Sequence, residues 1–247
     1  PIARGAVRLQ YGIGLEVRLG IGVERWDFTK GIVERFLALE RLFDQHPQWR
    51  GRMTLLQVAA PTRSRLPAYQ ALQQHTLAEA QRINEKFGKH GWRPIVLVGE
   101  HQEPAQVFEL YRAADFCVVN SLHDGMNLVA KEFVSARDDE DGVLILSTLA
   151  GASRELVEAL LVNPFDIGET ADAIRAALEM PRENAGYLLP PPGTIDASSI
   201  DVETGQHAGR EIKEWQAIMD HLRKLPVKKQ GELPVIPVDA RAAEVRA

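Results

Sequence analysis

Short apolar runs alternate with longer stretches that carry apolar residues on one helical face, from about residue 16 to residue 180. Short apolar runs between turn signals predict buried strands, whereas a period near 3.6 residues predicts amphipathic helices. The predicted strands are 16–23, 53–59, 95–98, 116–119, 143–147 and 160–163. The predicted helices run from 32 to near 47, 69–87, 103–113, 126–137 and 169–178, with a further helix led by 151–153.

Strands that alternate with helices form parallel sheets with right-handed crossovers. The predicted fold class is therefore α/β, a doubly wound, Rossmann-like parallel sheet of five or six strands. Residues 1–15 carry only a weak pattern, and we expect them to be an irregular approach to the first strand.

The composition of the chain changes after residue 180. Residues 181–247 hold seven of the fourteen prolines, including three in succession at 190–192. Within this segment, residues 210–225 carry an apolar stripe at helical spacing, which predicts one amphipathic helix. The sequence thus predicts two parts, a Rossmann-like domain over 1–180 and an irregular proline-rich tail over 181–247.

Composition and charge exclude several classes of function. The chain has 247 residues and a net charge of −5, and its basic residues are scattered, so we expect no nucleic-acid partner. The one cysteine, Cys117, lies in an apolar strand, which predicts no disulfide and a reducing, cytoplasmic setting. No apolar run is long enough to span a bilayer, so no membrane partner is predicted. The seven histidines are dispersed, so no metal is expected.

The segment 115–137, DFCVVNSLHDGMNLVAKEFVSAR, predicts a buried strand, a glycine turn and a helix. Such a unit places free backbone N–H groups and the positive end of a helix dipole at the carboxyl edge of a sheet, where phosphates bind. Glu132 lies about two turns into the helix, within reach of hydroxyls on the same ligand. The alternative is that Asp124-Gly125 serves only as a turn between a strand and a helix.

The eleven residues DGMNLVAKEFV, 124–134, closely resemble the donor-sugar-nucleotide motif of the trehalose-6-phosphate synthase family. These are retaining glycosyltransferases with two Rossmann domains, the GT-B architecture. The resemblance implies that Asp124 contacts the transferred sugar and that Glu132 binds the ribose hydroxyls. It also implies that the donor diphosphate is held by backbone N–H groups of Gly125, Met126, Asn127 and Leu128.

A second segment, VERWDFTKGI at 23–32, is similar to the family's VDRLDYSKGL. The resemblance assigns Arg25 and Lys30 to the donor diphosphate and, together with Asp124, to the catalytic group. A lysine in the first turn of a helix opposes the helix dipole, which favours a bound anion there. A solvated lysine is the alternative.

A third segment, beginning APTRSR at residue 60, is similar to the family's APTSRGDVQAY. Arg63 matches an arginine that contributes to binding the acceptor's phosphate, and a plain surface arginine is the alternative. Residues 101–104, HQEP, depart from the basic residues that the family often has there, so no phosphate ligand is assigned to them.

The resemblance covers residues 16–180, the carboxyl-terminal, donor-binding half of such an enzyme. It implies transfer of glucose from a nucleoside diphosphate glucose to glucose 6-phosphate, with no cofactor and no metal. A second GT-B domain or a further copy of the chain is then an expected partner, because the family's active site lies between two domains. The alternatives are a non-catalytic nucleotide-sugar-binding or regulatory module, and a partial chain that is inactive without its amino-terminal half.

Overall fold

In the part of the chain that the structure describes, six parallel strands form one sheet, with helices on both faces. The computed structural model describes residues 2–137 and 141–180. The predicted tail and its helix at 210–225 lie outside these residues. Within them, no helix is both long and apolar enough to cross a membrane.

The helices and strands follow one another as the sequence pattern predicts, with two exceptions: an additional helix at the start, and no α-helix led by 151–153. The strands are β1 Arg18–Arg25, β2 Met53–Ala60, β3 Ile95–Val98, β4 Phe116–Val119, β5 Val143–Ser147 and β6 Leu160–Val162. The helices are α1 Ile2–Tyr11, α2 Ile32–Gln45, α3 Pro67–Phe87, α4 Pro104–Ala113, α5 Leu128–Ala136 and α6 Ile167–Glu179.

The strand order is β3-β2-β1-β4-β5-β6, and each neighbouring pair is parallel. This is the order of a doubly wound sheet made of two halves, which confirms the predicted fold class. The order reverses between β1 and β4. Ligands of open parallel sheets bind at such a reversal, outside the carboxyl ends of the strands.

Two apolar cores lie against the two faces of the sheet. One core contains residues of α1, α4 and α5, such as Val7, Leu110 and Phe133. The other contains residues of α2, α3 and α6, such as Phe36 and Ile83. Successive residues of β2 belong to opposite cores, as expected for a strand that is covered on both sides.

Residues 2–11 form helix α1, so the prediction of an irregular segment over 1–15 was wrong there. The helix packs through Val7 and through Arg8, which is only 4% exposed. The Arg8 guanidinium donates hydrogen bonds to the carbonyls of Gly14 and Val17 and to the carboxylate of Asp115. The helix is short and its inward face combines Val7 with a charged residue, so its apolar pattern was interpreted as weak.

The helix predicted to begin at 151–153 is a short 3-10 turn, Gly151–Arg154, and Leu160 belongs to β6. Gly151 lies against the turn after β4. An added Cβ at Gly151 would lie 2.0 Å from the carbonyl oxygen of Gly125. The backbone of Gly151 therefore contacts that turn directly, and any residue with a Cβ would clash there.

Asp115 joins α1 to the amino edge of the sheet, and we expect Asp115→Asn to destabilise the fold. Its carboxylate, with 9% of the side chain exposed, pairs with Arg4, Arg8 and Arg18 and accepts the Leu19 N–H. Substitution leaves the buried Arg8 charge uncompensated, which costs about 3 kcal/mol and lowers Tm by roughly 6–12 °C. Thermal unfolding followed by circular dichroism measures this, and an unchanged Tm would contradict the structural role of Asp115.

A second prediction concerns acid stability. Hydrogen bonds from Arg82, and then from Lys86, lower the pKa of Glu40 to about 2, from an ordinary value of 4.5. A lowered pKa stabilises the folded state above pH 4.5, and this contribution is lost as the pH falls from 4.5 towards 2. Because both cations are more than 40% exposed, the contribution is only about 1 kcal/mol.

Glu40→Gln should lower stability at pH 7 and remove this part of the decline between pH 4.5 and 2. Glu85→Gln is the matched control, since Glu85 lies on α3 and accepts a hydrogen bond from Gln81. Urea unfolding at several pH values provides the comparison. Parallel stability curves for wild type and Glu40→Gln would show that the Glu40 contacts contribute nothing.

Candidate functional site

Two loops meet at the carboxyl edge of the sheet where the strand order reverses. The loop after β1, residues 26–31, contains a 3-10 turn capped by Asp27, whose carboxylate accepts the Thr29 N–H. The loop after β4, residues 120–127, lies directly beside it. The Leu122 N–H donates to the Thr29 carbonyl at 2.7 Å, so backbone hydrogen bonding holds the two loops together.

The loops bring Lys30 and Asp124 into contact, although they are far apart in sequence. The Lys30 Nζ lies 2.6 Å from the Asp124 Oδ2, and the two side chains are 18% and 14% exposed. Asn127 donates from Nδ2 to the same carboxylate oxygen at 3.0 Å and to the Ser121 hydroxyl at 3.2 Å. Three residues predicted from the sequence as donor ligands thus form one polar group.

The amino end of α5 faces this group. Asn127, at φ 70°, caps the helix by accepting the Ala130 N–H, so the helix begins at Leu128 rather than at the predicted Met126. The N–H groups of residues 125–128 have no acceptor among the described residues. Free N–H groups and the positive end of the helix dipole favour an anion at this position.

A third loop, residues 149–152, supports the turn from behind. The Asp124 N–H donates to the Leu149 carbonyl, the Gly151 N–H donates to the Asp124 carbonyl, and the Ala152 N–H donates to the Met126 carbonyl at 2.8 Å. The turn that contains the predicted ligands is therefore fixed along its length by backbone contacts. This support was not predicted from the sequence, because the segment led by 151–153 was predicted to be helical.

The two candidate arginines lie at the same edge, one at the end of β1 and one in the loop that follows the neighbouring strand β2. Arg25 ends β1, is exposed, and makes no ion pair or hydrogen bond with the residues that the structure describes. Arg63 follows β2 and donates to the Tyr69 hydroxyl at 2.5 Å. The Tyr69 ring packs edge-on against the Phe28 ring, with 5.3 Å between the ring centroids. Because Phe28 belongs to the same 3-10 turn as Lys30, Arg63 lies beside that turn. Neither arginine contacts the Lys30–Asp124 pair.

Glu132 occupies the second turn of α5, and the structure gives it a partner that the sequence did not suggest. The Tyr111 hydroxyl donates to the Glu132 Oε2 at 3.1 Å. Burial first, and then the Glu132 charge, raise the pKa of Tyr111 well above its ordinary value, so the hydroxyl stays protonated. One carboxylate oxygen of Glu132 is thus held by Tyr111, which leaves the other for a ligand.

Beneath the two loops lies a second group of polar side chains, which the sequence analysis also missed. Arg35 of α2 is fully buried and bonded to Glu24, Gln57 and Asn120. The signal that could have revealed it is the position of Arg35 next to Phe36, on the inward side of an amphipathic helix.

Metal-binding residues do not gather at this edge. Across residues 2–137 and 141–180, no three His, Cys, Asp or Glu side chains form a group that could hold a metal ion. The absence of a cofactor stays a prediction. Cys117 is buried in β4, where burial raises the pKa of its thiol, so it is a packing residue.

Comparison with known proteins connects this geometry to a family. A model of glycosyltransferase family 20 matches residues 4–187. The trehalose-6-phosphate synthase of Enterobacter sp. strain 638 is 46% identical over 160 residues, which are 64% of this chain and 34% of that protein. A bifunctional trehalose-6-phosphate synthase/phosphatase of Thermoproteus tenax is also 46% identical, over 64% of this chain and 22% of its own length.

Solved structures give the same result. A UDP-forming alpha,alpha-trehalose-phosphate synthase from Burkholderia xenovorans, in complex with glucose-6-phosphate, superposes with a TM-score of 0.71 at 40% identity. The match covers 74% of this chain and 40% of that one. A trehalose-6-phosphate structure from E. coli bound with UDP-2-fluoro glucose superposes with a TM-score of 0.70 at 39% identity. This match covers 76% of the present chain and 42% of the E. coli chain.

The chain spans between about a fifth and two fifths of the length of these relatives. The resemblance stated from the three sequence segments is confirmed. Because the family model covers well over half of its residues, the chain belongs to glycosyltransferase family 20.

Proposed function

We propose that this chain binds a nucleoside diphosphate glucose at the carboxyl edge of its sheet and provides the donor side of glucosyl transfer to glucose 6-phosphate. The observation that carries the proposal is the meeting of Lys30 and Asp124 beneath the free amino end of α5. Two related structures support this choice of ligands, since one was solved with glucose-6-phosphate and the other with UDP-2-fluoro glucose.

The diphosphate would lie where the positive groups converge. Lys30 offers an ammonium, residues 125–128 offer backbone N–H groups, and Arg25 offers a guanidinium that has no partner among residues 2–137 and 141–180. When the bond from the anomeric carbon to the diphosphate breaks, the developing charge on the diphosphate is stabilised by these donors. A fixed cation and fixed N–H groups can do this without a metal ion, and we propose that none is used.

The other groups would orient the rest of the donor and the acceptor. Asp124 is placed to accept hydrogen bonds from hydroxyls of the transferred glucose, and Glu132 from the ribose. Arg63, held by Tyr69, would contact the phosphate of glucose 6-phosphate. The new glycosidic bond forms to an acceptor hydroxyl, whose proton leaves with the released nucleotide, and the resemblance implies retention at the anomeric carbon.

This edge of the sheet is open, and transfer requires water to be excluded from the reacting atoms. We propose that a second GT-B domain, or a further copy of the chain, covers the edge during transfer. The single buried cysteine supports a reducing, cytoplasmic setting for the protein.

Substitutions of Lys30 and Asp124 test the proposal with opposite expected effects on free UDP. Lys30→Ala should lower the affinity for UDP by roughly ten- to a hundredfold, or about 1.5–3 kcal/mol of binding free energy, since a charge-assisted contact is lost. Asp124→Asn removes the carboxylate that competes with the diphosphate for Lys30. UDP affinity should then rise about two- to fivefold, or roughly 0.5–1 kcal/mol, whereas UDP-glucose should lose affinity relative to UDP.

Isothermal titration calorimetry of the full chain with UDP, UDP-glucose, GDP and ADP measures these effects. Lys86→Ala is the matched control, because Lys86 pairs with Glu40 and Asp44 near the end of α3, away from the two loops. The proposal fails if no nucleotide binds at millimolar concentration, or if Lys30→Ala and Lys86→Ala behave alike.

The role of Glu132 predicts a difference between ligands with and without a ribose. Glu132→Ala should lower the affinity for UDP by about five- to tenfold, because hydrogen bonds to ribose hydroxyls are lost. Inorganic pyrophosphate has no ribose and should bind the variant as it binds wild type. An equal loss for both ligands would place Glu132 in the support of α5 rather than at the nucleoside.

A further inference from the structure

Four polar side chains beneath the two loops form a connected group that touches none of the proposed ligands. We call Glu24, Arg35, Gln57 and Asn120 the buried polar cluster. They come from β1, α2, β2 and the residue that directly follows β4. Arg35, Gln57 and Asn120 are 0% exposed, and Glu24 is 6% exposed.

The Arg35 guanidinium is the centre of the buried polar cluster. It donates to both Glu24 carboxylate oxygens, at 2.6 and 3.0 Å, to the Gln57 Oε1 at 2.7 Å and to the Asn120 Oδ1 at 2.8 Å. Gln57 Nε2 donates in turn to Glu24 at 2.6 Å. One cation and one anion balance, and every partner is hydrogen-bonded, as a buried polar network requires.

The backbone makes room for this cluster at a strand position. An added Cβ at Gly22 of β1 would lie 2.0 Å from the Arg35 Nη1. Replacing a buried ion pair with apolar side chains of similar volume is often neutral or stabilising, so stability alone does not account for the arrangement. What the cluster adds is a fixed relative position of the four segments that it joins.

Asn120 carries that fixed position to the ligand loops. Its Nδ2 donates to the Gly31 carbonyl at 3.0 Å, while its Oδ1 accepts from Arg35. Gly31 has φ 65°, and an added Cβ there would lie 2.4 Å from the Asn120 carbonyl oxygen. Gly31 directly follows Lys30, and Asn120 begins the loop that leads to Asp124. Asn120 thus ties the backbone beside the cation to the loop that carries the carboxylate.

We propose that Arg35 and Asn120 are positioning residues for the donor site, acting by holding the Lys30–Gly31 turn against the loop after β4. This inference rests on the proposed function, because its readout is nucleotide affinity. Neither residue reaches a ligand, since both are fully buried. Their effect is transmitted through Gly31 to Lys30.

Asn120→Asp removes the link to Gly31, and it also adds a second anion to the cluster in which Arg35 balances Glu24. An aspartate keeps an acceptor for the Arg35 Nε but has no donor for the Gly31 carbonyl, and its second oxygen repels that carbonyl. We expect UDP affinity to fall about tenfold, the loss of roughly one hydrogen bond in the positioning of Lys30. Thr54→Val is the matched control, since Thr54 is 2% exposed and its hydroxyl donates to the Arg93 carbonyl at the amino edge.

A double-mutant cycle separates positioning from general destabilisation. If Asn120 acts through Lys30, Asn120→Asp should have little further effect on UDP affinity in a Lys30→Ala background. Arg35→Lys provides a second test that keeps the charge opposite Glu24 but lacks the Nε donor to Asn120. Arg35→Lys should lower the affinity for UDP by a similar factor when Lys30 is present. In a Lys30→Ala background it should lower that affinity by much less.

Calorimetry with UDP on the full chain, with circular dichroism to verify folding, decides among the outcomes. The inference is overturned if Asn120→Asp and Arg35→Lys bind UDP as wild type does, or if their effects add fully to that of Lys30→Ala. Failure of wild type to bind UDP overturns the proposed function, and this inference with it. Wild-type binding with unaffected variants overturns the inference alone. A tenfold loss in Thr54→Val as well would show that any lost buried hydrogen bond gives the same effect.

Discussion

Between β1 and β4 the sheet changes the direction in which strands are added, and the candidate site depends on that change. After β1 the chain passes into α2 on one face of the sheet, and after β4 it passes into α5 on the other. The two loops therefore meet at the point where ligands of doubly wound folds bind, and a backbone hydrogen bond joins them there. Lys30 and Asp124 meet at this point at 2.6 Å although 94 positions separate them.

The candidate site is kept in shape by contacts on both sides of the polar pair. The loop 149–152 fixes the turn at Asp124–Met126 through the backbone, and the buried polar cluster fixes the Lys30–Gly31 turn from below through Asn120. Such contacts hold donors in place before a ligand arrives, which is how fixed dipoles stabilise developing charge effectively. Under the proposed function, residues that do not touch the ligand therefore set the positions of those that do.

The sequence was sufficient for most of the fold. The bounds of β3, β4 and β5 were predicted to the residue, because each is a short, mainly apolar run bounded by proline, glycine or polar residues. Helix α1 was missed because Arg8, a charged residue, shares the inward contact with Val7. The 3-10 turn at Gly151 was missed because its conformation is set by the carbonyl of Gly125, a contact that local sequence does not contain.

In the candidate site, too, some residues could be identified from the sequence and others could not. Residues with a recognisable motif, such as Lys30, Asp124 and Glu132, were identified from the sequence, but their functional roles stay predictions. Partners that come from other segments were not identified: Tyr111 beside Glu132, and Arg35 beneath Asn120. Arg35 is a charged residue in an amphipathic helix, and hydropathy alone assigns such a residue to the solvent side. The position of Arg35 among the apolar residues of α2 was a signal of its burial, and the packing of α2 against the sheet shows that it is enclosed.

The most direct test of the account is a crystal structure of the chain with UDP-glucose. We predict that the diphosphate accepts hydrogen bonds from the Lys30 Nζ and from N–H groups of residues 125–128, with the ribose beside Glu132 and the glucose beside Asp124. A nucleotide bound at the amino edge of the sheet, or a diphosphate at the carboxyl edge without contact to Lys30, would contradict the account.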